Sequence, residues 1–160
     1  MLSLSELSQK VGVLLAENSH VLVTAESCTG GGVASAITDV SGSSAWFDRA
    51  FVTYSNEAKM DMIGVNPKTL NIYGAVSQET VEEMASGALR HSQATISISV
   101  SGIAGPTGGT EDKPVGTVWF GWKIGNQFEE QEMVCFSGNR ERVREQACYH
   151  ALAKLVELLT

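Results

Sequence analysis

Much that would mark a secreted, membrane-bound or nucleic-acid-binding protein is missing from this sequence. Its three cysteines, Cys28, Cys135 and Cys148, are an odd number without C-x-x-C spacing. That argues against a disulfide framework or a zinc knuckle and for a reducing compartment. Basic residues are the scarcer charge: 11 Lys and Arg stand against 18 Asp and Glu, for a net charge of −7 with no basic block. Non-specific nucleic-acid binding, which rests on neutralising phosphates, is therefore not expected. No apolar run approaches the roughly 18 residues of a membrane span. The start, Met1-Leu2-Ser3-Leu4-Ser5-Glu6, has neither the positive charge nor the apolar stretch of a signal peptide. Repeats, low-complexity tracts and linkers are also absent. What remains is a globular composition, 43% hydrophobic and 18% charged over 160 residues, enough chain to bury one core. The expectation is a soluble, cytoplasmic protein with residues 1–160 as a single domain.

Helical and extended patterns alternate along the chain. Ser3 and Glu6 form an S-x-x-E capping box, followed by Leu4, Leu7, Val11, Leu14 and Leu15 at helical spacing, predicting a helix to about Asn18. Val21–Ala25 reads as a buried strand, and Val33, Ala34, Ala36 and Ile37 as a helix after a glycine run. A second strand is expected within Trp46–Ser55 and a short helix over Asn56–Ile63, stopped by Gly64. Pro67 fits the start of another short turn. Ser77 caps a helix whose Val81, Met84, Ala85, Ala88 and Leu89 share one face. Thr95–Val100 alternates as a strand and leads into a glycine-rich loop, Ser101–Gly116. Thr117–Ile124 and Phe128–Phe136 flank Gly125-Asn126, a two-residue hairpin signal. Val143, Ala147, Ala151 and Leu155 mark a long final helix. The order predicts an α/β fold: a three-layer α/β/α sandwich on a mixed, mostly parallel sheet of about five strands with a C-terminal antiparallel hairpin.

Common catalytic signatures are missing too. There is no H-x-x-x-H, no G-x-S-x-G and no G-x-x-x-x-G-K. His20, His91 and His150 fall in or at the ends of helices with no nucleophile beside them, although spacing leaves a long-range triad open. Two loops after predicted strands stand out instead. Ala25-Glu26-Ser27-Cys28-Thr29-Gly30-Gly31-Gly32 turns a strand into a helix, where free N–H groups and glycines suit an anionic group. Ser101-Gly102-Ile103-Ala104-Gly105-Pro106-Thr107-Gly108-Gly109 is the second, and in open α/β sheets both would lie outside the carboxyl ends of strands. Taken singly, each also reads as ordinary capping and turn geometry. Cys28 is a thiol without an evident His partner. Lys59, beyond a strand in Tyr54-Ser55-Asn56-Glu57-Ala58-Lys59, reads either as a surface lysine or as a base whose pKa burial lowers.

Together these segments are similar to the CinA C-terminal domain family, and closely to its stand-alone bacterial nicotinamide-nucleotide amidases. The resemblance is carried by Thr24–Gly31, Gly42-Ser43-Ser44-Ala45-Trp46-Phe47, Phe51–Lys59 and Gly74-Ala75-Val76-Ser77. Ser99–Pro106 and Lys113-Pro114-Val115-Gly116-Thr117-Val118 complete it, in the family's order along nearly the whole chain. It implies hydrolysis of nicotinamide mononucleotide to nicotinate mononucleotide and ammonia. It also implies a serine–lysine dyad, Ser27 and Lys59, 32 positions apart. Tyr54 and Glu26 are the expected supports of the dyad. Cys28, Thr29, Gly30, Gly31, Ser101, Gly102, Gly105 and Thr107 are the expected substrate-binding positions. Neither metal nor cofactor is expected, and exposed apolar helix faces would suit a homodimer. Two other readings stand beside this one: a non-catalytic module that binds a nucleotide phosphate, and an amidase of another small amide.

Overall fold

The computed structural model describes the chain from Met1 to Thr160. Six helices surround one sheet: α1 (Leu4–Glu17), α2 (Gly32–Thr38), α3 (Asn56–Ile63), α4 (Pro67–Tyr73), α5 (Gln78–Arg90) and α6 (Arg140–Leu159). The strands are β1 (Leu22–Glu26), β2 (Phe47–Val52), β3 (Ile96–Gly102), β4 (Thr117–Ile124) and β5 (Phe128–Cys135). Their spatial order is β2-β1-β3-β4-β5. β1 runs parallel to both β2 and β3, whereas β4 and β5 are antiparallel additions. The sheet is thus mixed, with its parallel part confined to the strands that lead into the loops singled out above.

Two apolar cores make the three layers. Leu7, Leu15, Ile37, Val143, Leu152 and Leu155 of α1, α2 and α6 pack on Leu22, Ile98, Val100, Phe120 and Trp122 of the sheet. On the opposite face Val23 and Ala25 meet Ile63, Leu70, Val81 and Met84 from α3, α4 and α5. That second face carries hydroxyls where the first carries branched apolar groups. Ser97 and Ser99 of β3 donate to the carbonyls of Ala85 and Val81 at 3.0 and 2.6 Å, which satisfies these buried groups and lets α5 sit close. Opposite Ser99, Gly121 has no room for a side chain: a Cβ would lie 2.9 Å from the Val81 carbonyl oxygen.

Local signals explain the boundaries. The capping box of α1 forms in both directions, each bond 3.1 Å. Ser55, Asn66, Ser77 and Asn139 each accept a backbone N–H at the start of α3, α4, α5 and α6. Gly64 ends α3 at φ 69°, the left-handed position that favours glycine. Three details depart from expectation. The segment after Pro67 is a seven-residue helix rather than a turn, because Pro at the first position and the Asn66 cap pre-set its start. β3 extends to Gly102, so Ser101 and Gly102 are strand residues rather than loop residues. Ile124 pairs with Phe128, leaving a three-residue connection. The Gln127 N–H donates to the Ile124 carbonyl at 3.0 Å, so the turn closes on Gln127 and strand pairing resumes one residue later, at Phe128.

Candidate active site

Side chains alternate across a strand, so the last residue of β1 and the one after it face opposite ways. Glu26 turns toward α2, and Ser27 turns toward α3. The Ser27 N–H donates to the Val100 carbonyl at 2.9 Å, extending the β1–β3 pairing and setting Ser27 beside Ser101. Lys59 reaches the same point from α3. It occupies, with Ile63, the buried face of that helix and is only 1% exposed. Its Nζ lies 3.0 Å from Ser27 Oγ, 2.8 Å from the carbonyl oxygen of Thr53 and 3.4 Å from that of Tyr54. No carboxylate bonds to it. Burial without a counter-charge disfavours the ammonium and lowers its pKa to about 8.

Cys28, one residue on, is placed quite differently. Its side chain joins the larger core with Cys148. Burial pushes the two thiols up to about 11 and about 12, so neither is a thiolate near neutral pH. Cys28 nevertheless borders the site through its backbone. The N–H groups of Cys28 and Thr29 donate to no backbone carbonyl.

Glu26 is fully buried and saturated. It accepts from the hydroxyls of Thr24 at 3.0 Å and Thr29 at 2.6 Å, and from the N–H groups of Val33 and Ala34 at 2.9 and 3.0 Å. This corrects one expectation: the first N–H groups of α2 are not free for an anionic ligand, because a side chain of the protein already caps them. Glu26 does not touch the Ser27–Lys59 pair, so any support it gives passes through the loop.

A cavity of about 250 Å³ opens over the pair, lined among others by Ser27, Cys28, Tyr54, Lys59, Ser101 and Gly102. Thr29, Gly30, Gly31, Gly105 and Thr107 do not line it. The Thr29 hydroxyl is held by Glu26, and Gly31 precedes α2 at φ 95°. The Gly105 carbonyl accepts from Arg140, and Thr107 lies on the exposed β3–β4 connection. Ser101 is 1% exposed and its hydroxyl bonds to nothing in the protein.

The arginines of α6 had no sequence signal. Arg140, in the first turn of α6, borders the cavity and donates to Gly105 O at 2.9 Å and Tyr54 Oη at 3.2 Å. Asn56, Ala75, Val76 and Ala104 also line the wall. A second cleft of about 840 Å³ adjoins the first through Ala104 and Arg140 and is bordered by Arg144. The spacing of an Arg far along the chain says nothing about which loop it meets. The histidines are elsewhere: His20 bonds Thr95, His91 bonds the Gly87 carbonyl, and His150 meets Glu132 beside Phe120. No three His, Cys, Asp or Glu residues cluster as metal ligands would, and no helix is long and apolar enough to cross a membrane.

Residues 4–159 match the family described as the CinA C-terminal domain. The chain is 55% identical over 152 residues to the nicotinamide-nucleotide amidohydrolase PncC of Escherichia coli K12, covering 95% of this chain and 92% of that protein. A protein of the same name from Pseudomonas putida is 48% identical over 98% of each chain. Among solved structures, the competence/damage inducible protein CihA of Agrobacterium tumefaciens superposes with a TM-score of 0.95 at 41% identity, over 98% of this chain and 96% of that one. The competence damage-inducible protein A of Klebsiella pneumoniae also reaches 0.95, at 42% identity over 99% and 98%.

Proposed function

The chain belongs to the CinA C-terminal domain family, and from that membership and the site geometry we propose that residues 1–160 act as one amidohydrolase domain on nicotinamide mononucleotide. The products are nicotinate mononucleotide and ammonia, and the substrate is a soluble small molecule of pyridine-nucleotide metabolism. The observation that carries the reading is the 3.0 Å approach of an uncompensated, buried Lys59 amine to the Ser27 hydroxyl.

In its neutral form Lys59 has two N–H donors and one lone pair. Donation to the carbonyls of Thr53 and Tyr54 aims the lone pair at Ser27, the orienting task that a third residue performs in triads. Lys59 takes the Ser27 proton as Oγ bonds to the carboxamide carbon. The developing oxyanion meets the unpaired N–H of Cys28, the donor next to the nucleophile. Collapse breaks the C–N bond, and the Lys59 ammonium returns its proton to the leaving nitrogen, which departs as ammonia. Water then attacks the acyl-enzyme and gives a proton to Lys59, which passes it to Ser27 Oγ as nicotinate mononucleotide leaves. The smaller cavity suits the pyridine ring and its amide. The adjoining cleft with Arg140 suits the ribose and 5′-phosphate.

The test is formation of ammonia and nicotinate mononucleotide without added metal, by wild type, Ser27→Ala, Lys59→Arg and Cys28→Ala. Activity lost in the first two variants and kept in the third is the expected result. Wild-type-like turnover in Lys59→Arg would sink the dyad, since arginine stays protonated and cannot act as a base. Saturable nucleotide binding without ammonia release would favour a non-catalytic module. Turnover confined to a different amide would move the substrate and keep the chemistry.

A further inference from the structure

The loop that carries Ser27 is gripped from α6, a helix that packs on the Glu26 face of the sheet and not on the Ser27 face. The Arg144 guanidinium donates through Nε to the Cys28 carbonyl at 3.0 Å and through Nη2 to the Thr29 carbonyl at 3.3 Å. Two successive carbonyls are thus pulled the same way by one planar fork. Gly30 makes room for it: at φ 59°, a Cβ there would stand 3.2 Å from Nη2. From below, the Thr29 hydroxyl is tied to Glu26.

In a trans peptide the C=O and N–H point in opposite directions. Holding the Cys28 carbonyl toward α6 therefore turns the Thr29 N–H of the same peptide away from that helix. Holding the Thr29 carbonyl, which Arg144 shares with the Gly32 N–H at 2.9 Å, likewise turns the Gly30 N–H back, and it donates to the Ser27 carbonyl at 3.0 Å. That bond fixes the Ser27–Cys28 peptide, whose N–H is the unpaired donor beside the nucleophile. We propose that Arg144 is a positioning residue for the oxyanion site: by holding the Cys28 and Thr29 carbonyls it fixes the turn, closed by the Gly30 N–H on the Ser27 carbonyl, that presents the Cys28 N–H beside Ser27, without touching the substrate. This rests on the reading of Ser27 as nucleophile. It differs from the plainest alternative, that Arg144 binds the substrate's phosphate from the adjoining cleft.

The experiment measures phosphonylation of Ser27 by a small alkyl fluorophosphonate, followed by mass spectrometry. The Oγ–P bond forms, fluoride leaves, and the phosphoryl oxygen occupies the oxyanion site whatever the natural substrate is. Arg144→Ala is expected to slow labelling by about 100-fold, the scale of losing one oxyanion donor. Millimolar guanidinium should restore part of the rate, and Arg144→Lys, which lacks the fork, should be slowed nearly as much. On amides, kcat should fall by a similar factor with little change in KM, equally for nicotinamide mononucleotide and for its riboside, which has no phosphate. Unchanged labelling in Arg144→Ala overturns the proposal. So does a loss confined to KM for the phosphorylated substrate, which would make Arg144 a phosphate ligand. A thermal midpoint that collapses in Arg144→Ala and in Arg144→Lys alike, without guanidinium rescue, also overturns it, by making the role structural. If wild type is labelled at Ser27 yet hydrolyses neither nicotinamide compound, the substrate reading fails while the labelling comparison still decides the role of Arg144. If wild type is not labelled, both fall.

Discussion

Two glycine-rich loops leave the carboxyl ends of neighbouring parallel strands, and they have opposite characters. The loop after β1 is short and mostly buried, with Ser27, Cys28 and Thr29 all under one-tenth exposed. Glu26 holds it from within and Arg144 from outside. The connection after β3 is exposed from Pro106 through Asp112. Arg140 tethers it at Gly105 and Lys113 at the Tyr73 carbonyl. Both sequences offer glycines, hydroxyls and a strand-end position. What separates them is how many buried polar groups depend on the conformation of each. A loop that must present donors to a transition state gains from rigidity, whereas a long exposed connection is free to vary.

Predictions that sharpen or break this contrast can be ranked by size. Largest is the kinetic effect of the first loop's own residue: Ser27→Ala should lower kcat by at least about 10³-fold, with Lys59→Arg comparable, because members of one catalytic unit fail together. Next, Glu26→Ala should destabilise the fold by about 3–5 kcal/mol in urea unfolding, since it strands two buried N–H groups and two hydroxyls. A cost below about 1 kcal/mol would show that the buried carboxylate is not what holds the first loop.

Lys59 gives a prediction of opposite sign. Its folded-state pKa is lowered to about 8 from an ordinary 10.5, so between those values the unfolded chain binds more protons and stability rises with pH. Below pH 8 the folded protein carries the full cost of a buried ammonium. Lys59→Met should therefore be inactive yet more stable at pH 7 by about 1–3 kcal/mol, an advantage that fades as pH climbs toward 10.5. The same ionisation should make wild-type kcat rise with pH and level off above about 8. A flat profile from pH 6 to 9 would contradict a lysine base. Smallest are changes in the second loop. Thr107→Ala should leave kcat within about twofold and stability within about 0.5 kcal/mol, and a large loss there would make Thr107 a substrate contact after all.

The elements were legible because their signals are local. Ser3 and Glu6 at capping-box spacing, the α5 face of Val81, Met84 and Ala88, and alternation in β3 each need only neighbours in the chain. The Ser27 loop was legible as a strand–glycine–helix turn. Its meaning was less so: the same pattern suggested free helix N–H groups, which the structure assigns to Glu26. Lys59 read first as a surface lysine because periodicity cannot tell a helix's solvent face from a face turned into a polar pocket. Family likeness, not spacing, brought it to Ser27. Arg140 and Arg144 were invisible, being charged residues on a helix whose partners lie elsewhere in the chain: Gly105 and Tyr54 are 35 and 86 positions before Arg140, and Cys28 is 116 before Arg144.

The sequence by itself determined which segments are helices and strands, apart from α4 and the end of β3, that they would layer as α/β/α, and that Ser27 would sit at a tight strand-to-helix turn. Those follow from hydrophobic period, caps and glycine, which act over one or two turns of chain. Only the tertiary structure decided that Lys59 loses its water and its ordinary pKa, that the Cys28 thiol is packed away while its N–H stays unpaired, and that Arg144 closes on the loop from across the sheet. Each of those depends on desolvation or on a hydrogen bond between distant segments, and neither exists until the layers have packed.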